Sequence, residues 1–404
     1  MRILHTSDWH VGKVLKGQNR LSEHVEVLAQ VVEIARAHRP DLVIVAGDLY
    51  DTAAPTPDAT KLVTRALSAL RNTGADVVAI GGNHDNGPAL DALRPWAEAA
   101  GITLRGTVRD NAADHVVTGT TTDGQRWRLV ALPFLSQRYA VRAAEMYDLT
   151  PAEANQTYAD HVARLLARLT EDFSTPDPNG PVVNLITAHL TVVGAATGGG
   201  EREAHTVLDY AVPTTVFPAS AHYVALGHLH RSQSVPGPCP IRYSGSPLAV
   251  DFGEEENAPS VTLVEVGPDK AATTTQIPIT AAVPLRTVRG TLADLATMRD
   301  ALEELAARDG AALPWLRVQL REKPRAGLRE EVQELLPRAL EIRIDPDLTP
   351  RPTARAARTA GRSPRQLFAD YLTACGHADD DGVRALFDEL YEEVSAQTDR
   401  EVRR

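Results

Sequence analysis

The chain has 404 residues, 43% of them hydrophobic and 24% charged, with ordinary Gly and Pro counts and a net charge of −11. That length exceeds one compact domain and predicts two or three. Two cysteines exclude a disulfide framework or a thiolate metal cage. The acidity argues against a surface that grips nucleic acid by its own charge.

No window of about 18 residues is apolar and free of charge, which argues against a membrane span. The start, "MRILHTSDWH", has no apolar signal-peptide core. The expectation is a cytoplasmic globular protein. No period of 20 to 50 residues recurs, so a solenoid is ruled out.

From the N-terminus, "RILHTSD" predicts a short strand. Residues 19–38 predict a helix with Leu21, Val25, Leu28, Val32 and Ala35 on one stripe, stopped by Pro40. "DLVIVAGD" is a continuous apolar run, as in a strand covered on both faces. Residues 57–72 read as a helix with Leu62, Leu67 and Leu70 on its apolar side, and "ADVVAIGGNHD" as a third buried strand. Further strands are predicted at "WRLVALPF", "VVNLITAHL", "HYVALGHLH", "PIRYSGSP" and "SVTLVEV", with a helix over 151–172. Residues 1–280 thus read as a layered α/β domain around a central sheet. Within it, the glycine-rich "GAATGGGE" at 194–201 is either a flexible loop or the border of a substrate groove.

Residues 281–347 change character. A strand, helix, strand, helix, strand order predicts a small α+β accessory domain that packs and positions. The stretch "LTPRPTARAARTAGRSPR" has linker composition, with five arginines and no acids. Residues 348–364 form either a solvated tether or a basic strip touching a phosphate backbone. Residues 365–404 predict two helices. Leu367, Phe368, Tyr371 and Leu372 on one, with Val383, Leu386, Phe387, Leu390, Tyr391 and Val394 on the other, make an apolar face too broad for two helices to bury. Its partner is this chain's own core or a helix of another protein, and the preceding tether favours the latter.

Five apolar runs end alike: "SDWH", "AGDLYD", "GGNHD", "TAHL" and "GHLH". In an open α/β sheet the carboxyl ends of the strands converge on one edge, where ligands bind. On an extended segment, residues one apart share a face, which pairs Asp8 with His10 and His228 with His230. With Asp48, Asn83 and His189, these offer two carboxylates, one carbonyl and four imidazoles. Such a set suits Mn²⁺, Fe or Zn²⁺ in place of Ca²⁺ or a structural zinc. Seven ligands exceed what one catalytic ion accepts, and fit two divalent ions about 3.5–4 Å apart sharing a carboxylate, the clamp used for phosphoryl transfer. Two such ions less two carboxylates leave a positive site on an acidic protein. His5, His24, His38, His115, His161, His205, His222 and His377 read as hydrogen-bonded core residues. Asp51 reads as a cap or a support for a ligand.

The ordered motifs D-x-H, GD, GNHD, H and GHxH resemble the calcineurin-like metallophosphoesterase family. The flanks "RILHTSDWHVGK", "GDLYDTAAP", "YVALGHLHRSQ", "RYSGSPLAVDFGE" and "SPRQLF" resemble its SbcD branch. That resemblance implies a layered metallophosphoesterase core, a capping domain and a C-terminal helical pair. It places one ion with Asp8, His10, Asp48 and His230, and the second with Asp48, Asn83, His189 and His228, Asp48 bridging. His84 then contacts the phosphate and assists the leaving oxygen, and Asp85 orients His84. The implied activity is a Mn²⁺-dependent DNA nuclease, 3′-to-5′ on duplexes and endonucleolytic on single strands and hairpins. The implied partners are DNA, the SMC-like ATPase SbcC, docked by residues 365–396, and a second copy of the chain.

Two other readings stay open. One is a phosphodiesterase for small substrates such as cyclic nucleotides, against which the long C-terminal extension speaks. The other is a non-catalytic DNA-repair scaffold, against which the full ligand set speaks.

Overall fold

The computed structural model describes residues 1–109, 111–136, 158–201, 211–309, 312–345, 364–374, 382–388 and 390. Among these, the apolar runs become the middle strands of two six-stranded sheets. In the first unit of the chain, the main strands and helices are β1 (Arg2–Thr6), α1 (Leu21–His38), β2 (Leu42–Val45), α2 (Pro57–Arg71), β3 (Asp76–Ile80) and β4 (Ile102–Arg105). There follow β5 (Val116–Thr120), β6 (Arg126–Leu132), α3 (Tyr158–Leu169), β7 (Val182–His189), β8 (Tyr223–Gly227), β9 (Gln233–Val235) and β10 (Ile241–Tyr243), then β11 (Ser260–Gly267) and β12 (Lys270–Pro278).

The first sheet runs β12-β11-β1-β2-β3-β4 and the second β9-β10-β8-β7-β6-β5. Strands β1 to β4 pair in parallel, as do β6, β7, β8 and β10; β11 and β12 on one side of the first sheet, and the edge strands β5 and β9 of the second, pair antiparallel. The expected layered core is thus built of two sheets. Their inner faces meet through Ile3, Leu42, Ile44, Val78, Leu129, Leu185, Tyr223 and Ala225. Helices α1 and α2 cover the outer face of the first sheet and α3 that of the second. The middle strands β2, β3, β7 and β8 are buried on both faces, which is why they read as unbroken apolar runs. Full burial of each such side chain contributes about 1.5–3 kcal/mol.

On α1 the buried apolar residues are Val27, Leu28, Val31, Val32, Ile34 and Ala35, whereas Val25 is 45% exposed. The predicted stripe is thus rotated: the apolar face is wider than one stripe, and Val25 lies at its rim beside α2.

Three further strands, β13 (Leu285–Gly290), β14 (Trp315–Leu320) and β15 (Ala339–Ile344), form a sheet with α4 (Leu292–Asp309) and α5 (Leu328–Leu335). This sheet belongs to the same compact unit as the core, which spans Met1–Leu320 and Ala326–Arg343. Trp315 Nε1 donates to Glu23 Oε1 at 2.9 Å, and Thr287 Oγ1 donates to Glu255 at 2.6 Å. Arg20, fully buried, is paired with Glu23 at 2.6 Å. Leu285 joins Leu15, Ala249 and Phe252 in a small apolar cluster.

The second unit is Arg321–Arg325 with Ile344–Arg404. Its described helix α6 (Pro364–Ala374) and the helical residues 382–388 stack Phe368 on Phe387 at 4.1 Å. Tyr371, Leu386 and Leu390 are more than half exposed. Residues 348–363 of the basic linker, residues 151–157 of the predicted helix, Tyr391, Val394, His205 and His377 lie outside the described residues.

Candidate metal centre

All five motifs arrive at one place because the two sheets present the carboxyl ends of β1, β2, β3, β7 and β8 to the same edge. Asp8 and His10 do not share a face by extension, as a strand would give. The strand ends at Thr6, and Asp8 (φ 54°) and His10 (φ 47°) are left-handed. Asp48 (φ 50°) and His228 (φ 99°) are too. Such a backbone costs about 1–3 kcal/mol per residue and persists where surrounding bonds fix it. Those bonds are present: Asp8 N–H donates to Gly47 O and His10 N–H to Asp48 O, each at 3.0 Å. His24 Nε2 lies 3.0 Å from Trp9 O between them.

The glycines in the motifs allow close approach. A Cβ on Gly47 would fall 2.2 Å from His189 Nδ1, and one on Gly82 would fall 2.1 Å from Asp48 Oδ1.

Ligand atoms of Asp8, His10, Asp48 and His230 lie within 4.8 Å of one another, all buried. His10 Nε2 and His230 Nε2 are 3.0 Å apart. Beside them, Asn83 Oδ1 stands 2.9 Å from His189 Nε2 and 2.8 Å from His228 Nδ1. Asp48 Oδ2 lies between the groups, 3.6 Å from His10 Nε2 and 3.4 Å from His189 Nε2. The structure thus brings all seven residues together in two adjoining clusters. His10, Asp51 and His84 also converge within 4.8 Å.

The donor set fits divalent cations. His189 Nδ1 is 2.8 Å from the Ala46 carbonyl, which can only accept, so the neutral ring keeps Nε2 bare. Burial pushes the Asp8 carboxyl up against the pull of His230 and His189. Burial also lifts Asp48, but His189, His10 and His84 outweigh it and hold it well below the usual range. Burial would push His189 down; Asp48 prevails and raises it to about 9. His230 rises likewise, against burial, to about 10 under Glu254 and Asp8. Without a cation, buried carboxylates draw protons onto imidazoles, and that charge is what a divalent ion would supply.

His84 lies beside His10. Its Nδ1 donates to the backbone carbonyl of Asp51 at 2.7 Å, and its ring lies 4.6 Å from that of His10. The Asp85 carboxylate accepts three backbone N–H groups, from Leu49, Tyr50 and Gly82, at 2.8–3.1 Å. The Asp51 carbonyl thus holds His84 Nδ1, while the carboxylate of Asp85, expected to orient His84, ties the backbone of Leu49, Tyr50 and Gly82 together. Asp51 also stands 3.7 Å from His10 Nδ1 and accepts from Lys13 at 3.2 Å. His5, His24, His115 and His161 are buried, as expected; His38 and His222 are only half-buried.

Three groups went unseen in the sequence. Ser7 Oγ donates to Asp8 Oδ2 at 2.6 Å, Glu254 meets His230 Nδ1 at 2.6 Å, and Glu201 accepts from His230 N–H at 2.9 Å. Only the "GGGE" and "DFGE" stretches hinted at the two glutamates.

The sequence profile of the calcineurin-like phosphoesterase family matches residues 1–232. One described as the Type 5 capsule protein repressor C-terminal domain matches residues 281–375. Three relatives are named as the SbcD component of the nuclease SbcCD. That of Bacillus subtilis (strain 168) is 35% identical, over 70% of this chain and 71% of its own. That of Rhodobacter capsulatus is 34% identical over 91% and 94%, and that of Escherichia coli (strain K12) 31% identical over 79% and 78%. No described helix is long and apolar enough to cross a membrane. Likeness on this scale, with the buried Asp and His cluster, makes the protein a metal-dependent nuclease that hydrolyses phosphodiesters. The chain belongs to the calcineurin-like phosphoesterase family, in its branch of SbcD nucleases.

Proposed function

We propose that the chain cleaves DNA with two Mn²⁺ ions, one held by Asp8, His10, Asp48 and His230 and the other by Asp48, Asn83, His189 and His228. The observation that carries this reading is the position of Asp48 Oδ2, within 3.6 Å of imidazole nitrogens from both clusters. When bound, such ions supply Lewis-acid stabilisation of the phosphate and an acidified water as nucleophile. His84 has its Nδ1 hydrogen committed to Asp51 O, so a proton can come and go only at Nε2, where it serves the departing 3′ oxygen. Buried ligands on rigid strand ends hold the geometry without reorganisation.

The substrate reading is 3′-to-5′ cutting of duplex DNA and endonucleolytic cutting of single strands and hairpins, in DNA end processing, repair, recombination and replication in the cytoplasm. The relatives named as components of SbcCD support an SbcC-type SMC-like ATPase as the partner. That partner supplies a DNA grip that a chain of net charge −11 lacks. Residues 365–396 dock on it; residues 281–347 act as the capping domain. A second copy of the chain is the other partner.

The test compares Mn²⁺-dependent turnover of a hairpin DNA with that of a chromogenic small phosphodiester. Efficient hairpin cutting supports this reading. Turnover of the small substrate without any DNA cleavage would favour the small-phosphodiester alternative.

A further inference from the structure

Behind His230 stands a carboxylate that no strand-end motif announces. Glu254 Oε1 lies 2.6 Å from His230 Nδ1, and Glu254 Oε2 accepts the Val250 N–H at 2.9 Å. Glu254 is 1% exposed, so both bonds are shielded from bulk solvent. The glycine-rich loop seats against the pair. A Cβ on Gly198 would fall 2.9 Å from His230 Cβ, and one on Gly200 only 1.7 Å from Glu254 Oε1. Glu201 ties this loop to the ligand, accepting from Gly199 N–H at 2.8 Å and His230 N–H at 2.9 Å. Gly200 is thus the glycine at which a side chain would dislodge the carboxylate, and Gly198 the one at which it would press on the His230 ring's own Cβ.

We propose that Glu254 is a positioning residue that fixes the His230 tautomer with hydrogen on Nδ1, so that Nε2 offers its lone pair to the ion shared with Asp8, His10 and Asp48. This rests on the two-ion reading above. A carboxylate can only accept, so Nδ1 must be the donor. Such a partner orients the ring and strengthens the ligand. The other cluster has its own equivalent: the Ala46 carbonyl behind His189. Glu254 therefore acts on one ion and not on its neighbour.

An amide at this position tests the point. Glu254→Gln keeps the shape but has one acceptor where two are needed. With its oxygen on Val250 N–H, its NH₂ faces His230 Nδ1 and drives the hydrogen to Nε2. With its oxygen on His230, its NH₂ meets the Val250 N–H head on. Gly200→Ala reaches the same end by displacing the carboxylate sterically.

The experiment titrates the full chain with Mn²⁺, reading free ion by electron paramagnetic resonance, for the parent and both variants. Unfolding in EDTA reports whether each variant is folded; if Glu254→Gln is not, Gly200→Ala decides. The parent should bind two ions. Each variant should hold one with unchanged affinity and the other about 10–100-fold more weakly, with parental cleavage restored at high Mn²⁺. Two ions held as tightly as in the parent, or both weakened equally, would overturn the role of Glu254 alone. A parent that binds no Mn²⁺ would remove the metal centre, and this inference with it.

Discussion

Asp48 Oδ2 lies 3.4 Å from His189 Nε2, so a carboxylate at the end of β2 in one sheet reaches an imidazole at the end of β7 in the other. Its second oxygen is already committed, accepting the His84 N–H at 2.8 Å. The group that bridges the clusters is therefore fixed before any ion arrives. Asp48→Asn should leave neither ion tightly held, since both lose their shared anion. Metal analysis after EDTA stripping and dialysis against Mn²⁺ should find two equivalents in the parent and fewer than one in the variant. DNA cleavage should fall by more than the roughly 10–100-fold that loss of an outer partner costs.

His84 should separate chemistry from metal binding. A positioned general acid or base contributes about 10²–10⁴-fold. His84→Ala should lose rate on that scale while still binding two Mn²⁺ with parental affinity. Loss of an ion instead would make His84 a ligand, as its convergence with His10 and Asp51 permits.

His5 gives a pH signature away from the ligands. It is fully buried between Tyr223 Oη and Leu226 O, and burial holds its pKa near 3, against 6.5 in an unfolded chain. A lowered pKa means that the unfolded state takes up the proton first. The stability His5 contributes is present above pH 6.5 and is lost as pH falls from there towards 3. Relative to a His5→Phe variant, the parent should lose about 1.4 kcal/mol per pH unit within that window. Denaturant unfolding of both proteins from pH 8 to pH 4.5 checks it. A difference that stays constant with pH would contradict the burial argument.

The C-terminal helices should be separable from the active site. Phe368 and Phe387 hold them together, and Tyr371, Leu386 and Leu390 remain exposed. Changing those three to Glu should abolish co-purification with the ATPase partner while leaving Mn²⁺-dependent hydrolysis of a chromogenic phosphodiester as it was. Retained co-purification would show that the docking surface lies elsewhere.

The legible parts of this site were those that chemistry marks in the chain. Asp8, His10, Asp48, Asn83, His189, His228 and His230 stand out because each ends an apolar run where a polar residue has no packing reason to be. What stands behind them leaves no such trace. Glu254 is 24 positions from the imidazole it supports, and the Ala46 and Asp51 contacts use backbone oxygens that any residue would carry. The left-handed turns at Asp8 and Asp48 are invisible for a related reason: interlocked loop bonds impose them against local preference. Strands were read where both faces are buried. The mostly exposed edge strand β12, "KAATTTQIP", lacks that signal, so the antiparallel outer strand of the first sheet went unread.

The account turns on whether two ions meet at Asp48. Anomalous diffraction at the manganese edge, from crystals soaked in Mn²⁺, asks this directly. Two peaks should flank the Asp48 carboxylate, one contacted by Asp8, His10 and His230 and the other by Asn83, His189 and His228. A single peak, or none under saturating Mn²⁺, would contradict it.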